Sequence, residues 1–465
     1  MTVIKASPTK AFFTSMLTRD IDLDDAILDL LDNSLDGLLR QEPEESDQPY
    51  SDFNVAITLT KDEFTIEDNC GGIPKDIAEN YAFRFGKPPS REDDDIPTVG
   101  MFGIGMKRAL FKMGSDIKVI SHHTENCFYV EIKPEWLESD DSWVLEMLDC
   151  NKENNLDSPG TRIIVKNLNL GISQKFSKES DFESTLTGKV QTHYAYIIKK
   201  GLSITINGKP VSGLPLTFLG TDNIIEGQAI VEPYVYEEDS DGVYVRVFVG
   251  MIGQAPSLEE IDSFTEDSFP KSTPAGWTVI CNERVVLYAD RTILTGWGDR
   301  LPRFHQQFNQ IVGVVEFRSN SADKLPITTT KRGIDASADL YLRIRKRMIE
   351  GMRIYIDYTN KWKNNKEDER KEIISNTKAS SIDEILKYHN ISEKSTAVKD
   401  DSGGRQYKPK LPMPSSTEPT SRFIRYSKLI SDIQVVSDYI FDDSDYSPAD
   451  VGEACFDKIL GEAKQ

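Results

Sequence analysis

Three short stretches of this 465-residue chain carry residue types and spacings suited to chemistry. The first holds Asp25, Asp29, Asp32, Asn33 and Asp36 at intervals of three and four. On a helix these side chains share one face, where like charges repel by a few tenths of a kcal/mol per pair. No lysine interleaves to relieve them. A solvated polar face accounts for the acids taken alone. An Asn within an uncompensated acidic stripe points instead to a cation, and Mg²⁺ suits it because it takes few protein ligands and keeps waters and phosphate oxygens. The second stretch follows the strand-like run 64–68 and contains Asp68, Gly71, Gly72 and Ile73. A carboxylate at a strand end accepts from the exocyclic amine of adenine, whereas guanine leaves it facing another acceptor. Gly71 and Gly72 let the backbone turn and approach a ligand, the plain alternative being an ordinary Asn/Gly turn. The third stretch is Gly100, Met101, Phe102, Gly103, Ile104, Gly105, Met106 and Lys107. Its glycines lead into a helix expected over 106–113 and closed by Gly114 as a C-terminal cap. Backbone amides at such a helix start bind anions, and Lys107 adds charge. It is not a Walker loop, because Met106 separates Gly105 from Lys107, nor a dinucleotide fingerprint, because Arg108 occupies the third glycine position.

In this order the three stretches resemble the boxes of the GHKL superfamily, which includes gyrase B, heat-shock-protein chaperones, histidine kinases and MutL. The resemblance implies ATP bound with Mg²⁺ and hydrolysed slowly. The family's metal-coordinating Asn maps onto Asn33, and its water-activating carboxylate, one turn earlier, onto Asp29. Many members carry Glu there, and the shorter Asp still permits general-base chemistry. Asp36 lies in the same box and joins the nucleotide-binding set. Asp68 is implied to read adenine, with Gly72 and Ile73 in its turn. The family's Thr near adenine maps onto Thr161, in a strand opened by Gly160, although the residues alone read equally well as an edge strand. The polar, proline-rich segment 86–102 has the length of a functional lid. Phe85 and Gly86 resemble the start of a MORC-type lid, which brings Gly86 and Lys87 into the nucleotide-binding set.

These residues need elements to hold them. Ile27, Leu30, Leu31, Leu35 and Leu38 recur at a period near 3.6 and predict a helix over 24–40. The fold class expected is α+β. Residues 1–175 form a Bergerat-type two-layer α/β sandwich that binds ATP, with an arm over 1–20 exchanged in an N-terminal homodimer. Residues 176–335 form a transducer domain, ribosomal protein S5-like, with a helix ending near Lys200, a hairpin over 202–210, and strands at 243–252, 277–288 and 311–318. That region is most similar to MORC and MutL. A transducer lysine that reaches the γ-phosphate maps onto Lys331 first and Lys324 second. Residues 336–394 are a helical, basic extension, with Arg343, Arg345 and Lys346 facing either a phosphate backbone or, preferably, acids of the same chain. Residues 395–422 read as a Pro/Ser/Lys-rich linker. Residues 423–465 read as an acidic helical segment, with a helix start at Ser447 and Pro448.

Net charge is −21, which argues against a surface devoted to nucleic acid. Five scattered cysteines indicate neither a disulfide framework nor a zinc site, so a reducing cytoplasm is expected. No apolar run reaches membrane-spanning length, and no signal-peptide layout opens the chain. The first histidine is His122, so the phosphoacceptor helix of a histidine kinase is missing ahead of the ATP boxes. The remaining residues are expected to be too few for gyrase cleavage domains, the MutL dimerisation module or a chaperone's later domains. The function expected is a nucleotide-gated dimeric clamp with a DNA or protein client. The alternative is an ATP-sensing subunit of a larger assembly, such as a bacterial defence complex, with little hydrolysis.

Overall fold

The computed structural model describes residues 9–41, 46, 48–84, 105–124, 126–140, 142–214, 216–220, 230–257, 260–261, 274–328, 331, 333–363, 377–398, 403–414, 424 and 426–464. Gly86, Lys87, Gly100, Met101, Phe102, Gly103 and Ile104 lie outside these residues, as does the tip of the expected arm over 1–8. The chain divides into two compact units, 1–415 and 416–465. The fold class is α+β: one sheet layered with helices and a further sheet layered with helices, both within the first unit.

The first sheet contains β1 (Asn54–Leu59), β2 (Glu63–Asp68), β3 (Gly114–His123), β4 (Asn126–Ile132), β5 (Met147–Asp149), β6 (Gly160–Leu168), β7 (Ser203–Ile206) and β8 (Lys209–Pro210). Their order across the sheet is β5-β4-β3-β6-β2-β1-β7-β8. Alternation along the strands puts Val55, Ile57, Phe64, Ile66, Val119 and Val165 on one buried face. That face packs against helix α2 (Leu23–Leu39), whose Ile27, Leu30, Leu31, Leu35 and Leu38 are all buried in the same core. Helix α3 (Gly105–Met113) lies beside it and contributes Ala109, Leu110 and Met113. The apolar stripe read from periodicity is therefore the stripe that packs.

Several expectations change here. Gly114 does not cap α3; it is the first residue of β3, and a Cβ there would lie 2.7 Å from the Lys166 carbonyl of β6. Close strand approach, not a left-handed turn, requires that glycine. Strand β6 is not an edge strand, since it sits between β3 and β2. The hairpin over 202–210, expected in the second domain, completes the first sheet through β7, which runs parallel to β1. Its turn residues Asn207 and Gly208 adopt φ of 49° and 73°, the left-handed pair that a two-residue hairpin needs. Helix α1 (Lys10–Arg19) folds back on its own domain. The buried Lys10 amine donates to the Trp136 and Ser139 carbonyls at 2.7 and 2.6 Å and lies 3.8 Å from the Trp136 ring centroid. Cys127 and Cys150, expected to be unpaired, form a disulfide. The β4–β5 register pairs Phe128 with Asp149, which brings the flanking cysteines to a Cα separation of 5.3 Å.

The second sheet follows the order β13-β12-β14-β11-β10-β17-β16. Its strands are β10 (Tyr234–Ser240), β11 (Val243–Met251), β12 (Gly276–Cys281), β13 (Arg284–Asp290), β14 (Ile311–Ser319), β16 (Thr396–Ala397) and β17 (Arg405–Tyr407); β9 (Phe218–Gly220) and β15 (Lys378–Ser380) pair separately. The run 277–288 is thus a hairpin turning at Asn282 and Glu283, with φ of 43° and 71°. The stretch expected as a linker over 395–422 supplies β17, which pairs with β10, and the edge strand β16.

Phe182–His193 (α4) and Ala195–Lys199 (α5) precede that sheet in the chain. Across it lies α6 (Asp339–Trp362), burying Tyr341, Ile344, Met348, Met352, Tyr355 and Ile356 at helical spacing. Its bases are engaged internally. Arg343 pairs with Glu238 at 2.6 Å, Arg345 with Asp299 at 3.0 Å, and Arg347 with Glu350 at 3.1 Å.

The second unit holds α7 (Ile430–Phe441) and α8 (Pro448–Ala463). Ser447 caps α8 by accepting from the Asp450 amide, with Pro448 at the first helical position. Among the described residues no helix is long and apolar enough to cross a membrane.

Candidate functional site

Helix α2 is covered on nearly every side, so its acidic face is not a solvated one. Asp29, Asp32 and Asp36 are all buried, and only Asn33 of the group is exposed. Charges at such positions require partners, which arrive from distant parts of the chain. Arg108 of α3 donates to Asp29 at 2.7 Å. Arg284 of β13 and Lys331, after β14, lie 2.6 and 3.3 Å from the two oxygens of Asp32. Lys189 of α4 pairs with Asp24 and Asp25. The stripe therefore has counter-charges, and the argument for a cation from uncompensated repulsion is withdrawn. Sequence reasoning missed Arg108 and Arg284 as site residues. An arginine directly before the apolar run Val285–Leu287 was the available signal.

Asp29 stands beside the start of α3: a Cβ on Gly105 would lie 3.4 Å from its Oδ2. Burial pushes the Asp29 carboxyl above the usual range, Lys331 opposes this, Asp32 adds to it, and Arg108 opposes it again. The net upward shift makes the ionised Asp29 a stronger proton acceptor than an ordinary aspartate. Asp32 goes the other way. Burial alone would raise it, but Arg284 and Lys331 overcome that and hold it below the usual range. The Tyr194 hydroxyl donates to the same carboxylate at 2.5 Å.

Asp68, expected to read adenine, lies where β2 ends. Asp68 and Thr161 face each other in the β2–β6 register, and the Thr161 amide donates to Asp68 Oδ1 at 3.2 Å. The Cys70 amide donates to the same oxygen at 2.9 Å, while Ser34 of α2 donates to Oδ2 at 2.7 Å. The residue is half-buried, and both carboxylate oxygens accept hydrogen bonds. Burial pushes its pKa up against these three donors. Gly71 and Gly72 have φ of 96° and 70°. A Cβ on Gly72 would lie 2.1 Å from the His122 carbonyl, so this glycine serves the close approach of its own loop to β3. Ile73 is half-buried, and its amide donates to Ser121 at 2.6 Å.

The remaining expected residues are placed as follows. Met106 and Lys107 are buried. The Lys107 amine donates to the Ala82 carbonyl at 2.8 Å, and burial lowers its pKa to about 8. Lys107 therefore ties α3 to the segment just before residue 85. Lys331 is buried beside α2, whereas Lys324 is exposed near Gly242. Asn33 offers an exposed amide oxygen, a hard donor that fits Mg²⁺ when phosphate oxygens and waters complete the shell. Asp29, held by Arg108, is not free to act as a metal ligand.

A buried carboxylate facing the start of α3, a carboxylate at the end of β2 and a lysine that follows β14 thus converge on α2. Residues 21–161 match the family described as histidine kinase-, DNA gyrase B-, and HSP90-like ATPase. No curated protein matches the chain significantly. The stretch 21–161, which carries Asp29, Asn33, Asp68 and Thr161, is a GHKL-type ATPase domain, the class that binds ATP.

Proposed function

We propose that this protein binds ATP with Mg²⁺, hydrolyses it slowly and uses the cycle to operate a dimeric clamp. The observation that carries the reading is the pairing of a buried, raised-pKa Asp29 with Asp68 at the end of β2 beside Thr161, both inside the stretch matched to the ATPase family. Asp68 accepts from the adenine amine, supported by Thr161, Gly72 and Ile73. Asn33 holds the metal, with Asp36 in the same box; when bound, the ion neutralises charge on the phosphates. Amides of the loop 100–107 and the Lys331 amine bind phosphate oxygens, with Gly86 and Lys87 in the lid. Asp29 takes the proton of a water whose oxygen bonds to the γ-phosphorus, while the bond to the β,γ-bridging oxygen breaks and ADP leaves.

In this reading the second sheet is the transducer domain, N-terminal domains dimerise on ATP, and the client is DNA or protein. The internal ion pairs of Arg343 and Arg345 favour a protein client over a phosphate backbone at α6. A second reading, an ATP-sensing subunit with little turnover, is favoured by one observation: Arg108 already occupies the base. Mg²⁺-dependent turnover of the wild type beside Asp29→Asn, with nucleotide binding measured in both, separates them. Turnover abolished in the variant with binding retained supports the ATPase. Binding without turnover in either supports the sensor, and no binding overturns both.

A further inference from the structure

We propose that Asp32 and Arg284 form a buried holder that positions Lys331, making the second sheet part of the phosphate site; this rests on the ATP reading above. Arg284 is fully buried, and burying a guanidinium is unfavourable unless it is paired. Its ionic partner is Asp32 of α2, at 2.6 Å, a residue of the other layer pair. The same guanidinium donates through Nη1 to the Lys331 carbonyl. The Lys331 amine returns to Asp32, 3.3 Å from Oδ2, while Arg284 and the Tyr194 hydroxyl take Oδ1. Lys331 is thereby gripped at its backbone by Arg284 and at its amine by Asp32.

Two features argue that this is more than adhesion between layers. Lys331 has φ of 56°, a left-handed conformation that a side-chain-bearing residue keeps only when its surroundings impose it. The turn that the Lys331 amide closes on the Thr328 carbonyl sets it, and the Arg284 contact to the Lys331 carbonyl braces that turn. The amine contact, by comparison, is long, at the loose end for a charged pair, and is readily exchanged for a phosphate oxygen. The ion pairs at this cluster set three cations, Arg108, Arg284 and Lys331, against two carboxylates, Asp29 and Asp32, leaving one positive charge in excess. An anion at the site satisfies that excess. In the resting state Asp32 stores the Lys331 amine. With ATP bound the amine passes to the γ-phosphate, while Arg284 keeps the backbone in place and neutralises Asp32.

The test compares the affinities of a non-hydrolysable ATP analogue and of ADP, together with turnover, in wild type, Arg284→Lys, Asp32→Asn and Lys331→Met. The expected result is unchanged ADP affinity and a loss of about tenfold in preference for the triphosphate in each variant. The Arg284→Lys/Lys331→Met double variant should lose no more than Lys331→Met alone, since both act through one amine. A merely structural role would weaken both nucleotides alike. Tyr194→Phe, which removes only a hydroxyl, gives the same comparison if the charged variants do not fold, with a smaller loss expected. Wild-type discrimination retained in Arg284→Lys and Asp32→Asn, but lost in Lys331→Met, overturns the holder alone. Absence of nucleotide binding by the wild type overturns the ATP reading and the holder with it.

Discussion

Arg108, on the helix that follows the glycine loop, donates to Asp29 of α2 across 2.7 Å. The group read as the base and the helix read as the phosphate cradle are thus joined by one ion pair. This has a consequence for pH. Asp29 accepts a proton only when ionised, and its pKa is raised, so turnover declines as pH falls through that raised value. The decline begins at a higher pH than an ordinary aspartate allows. Arg108 favours the ionised form. Arg108→Gln should therefore move the acid limb of kcat to still higher pH, measured as kcat against pH for both proteins. An acid limb that stays in place removes Asp29 as the titrating base.

Replacing Asp68 tests adenine recognition apart from catalysis. In Asp68→Asn the amide oxygen still accepts from the Cys70 and Thr161 amides, so the local fold is kept. The amide NH₂ now faces Ser34, whose hydroxyl turns to accept, and the adenine amine, which meets it donor against donor. ATP affinity should fall by about 10- to 100-fold, on the order of 1.4–3 kcal/mol, with little change in melting temperature. Titration calorimetry reads the first and a thermal melt the second.

The Cys127–Cys150 bond closes a loop across a sequence separation of 23. Loop-closure entropy for that length corresponds to about 3 kcal/mol of stabilisation. Cys127→Ser with Cys150→Ser should lower the melting temperature measurably and leave ATP affinity unchanged, because the bond joins β4 to β5, away from Asp29 and Asp68. Peptide mapping under non-reducing conditions checks the linkage itself.

The basic face of α6 gives an expected absence of effect. Arg343 and Arg345 are spent on Glu238 and Asp299 and on the Ile293 and Leu294 carbonyls. Changing both to Gln should lower the melting temperature without altering salt-sensitive binding to duplex DNA in a filter or anisotropy assay. Loss of DNA binding with an unchanged melt would return this face to the role of a phosphate platform.

Helix α2, the strand ending at Asp68 and the turn at Asn207 and Gly208 were legible because their signals act within a few residues. Apolar periodicity selects the packed stripe, and an Asn-Gly pair supplies the positive φ that its hairpin needs. The order of the three boxes, likewise, is a linear property. Residues that the chain brings together from afar were not legible. Lys331 and Asp32 are 299 positions apart, and neither carries any local mark of the other. Arg284 drew no notice within the run 277–288, and the cysteines looked unpaired because their pairing follows from β4–β5 register. The acidic face of α2 shows the division best. Its composition, read alone, asked for a cation from solution. Burial made any uncompensated carboxylate too unfavourable to keep, and the packing of α3 and the second sheet against α2 supplied Arg108, Arg284 and Lys331 instead.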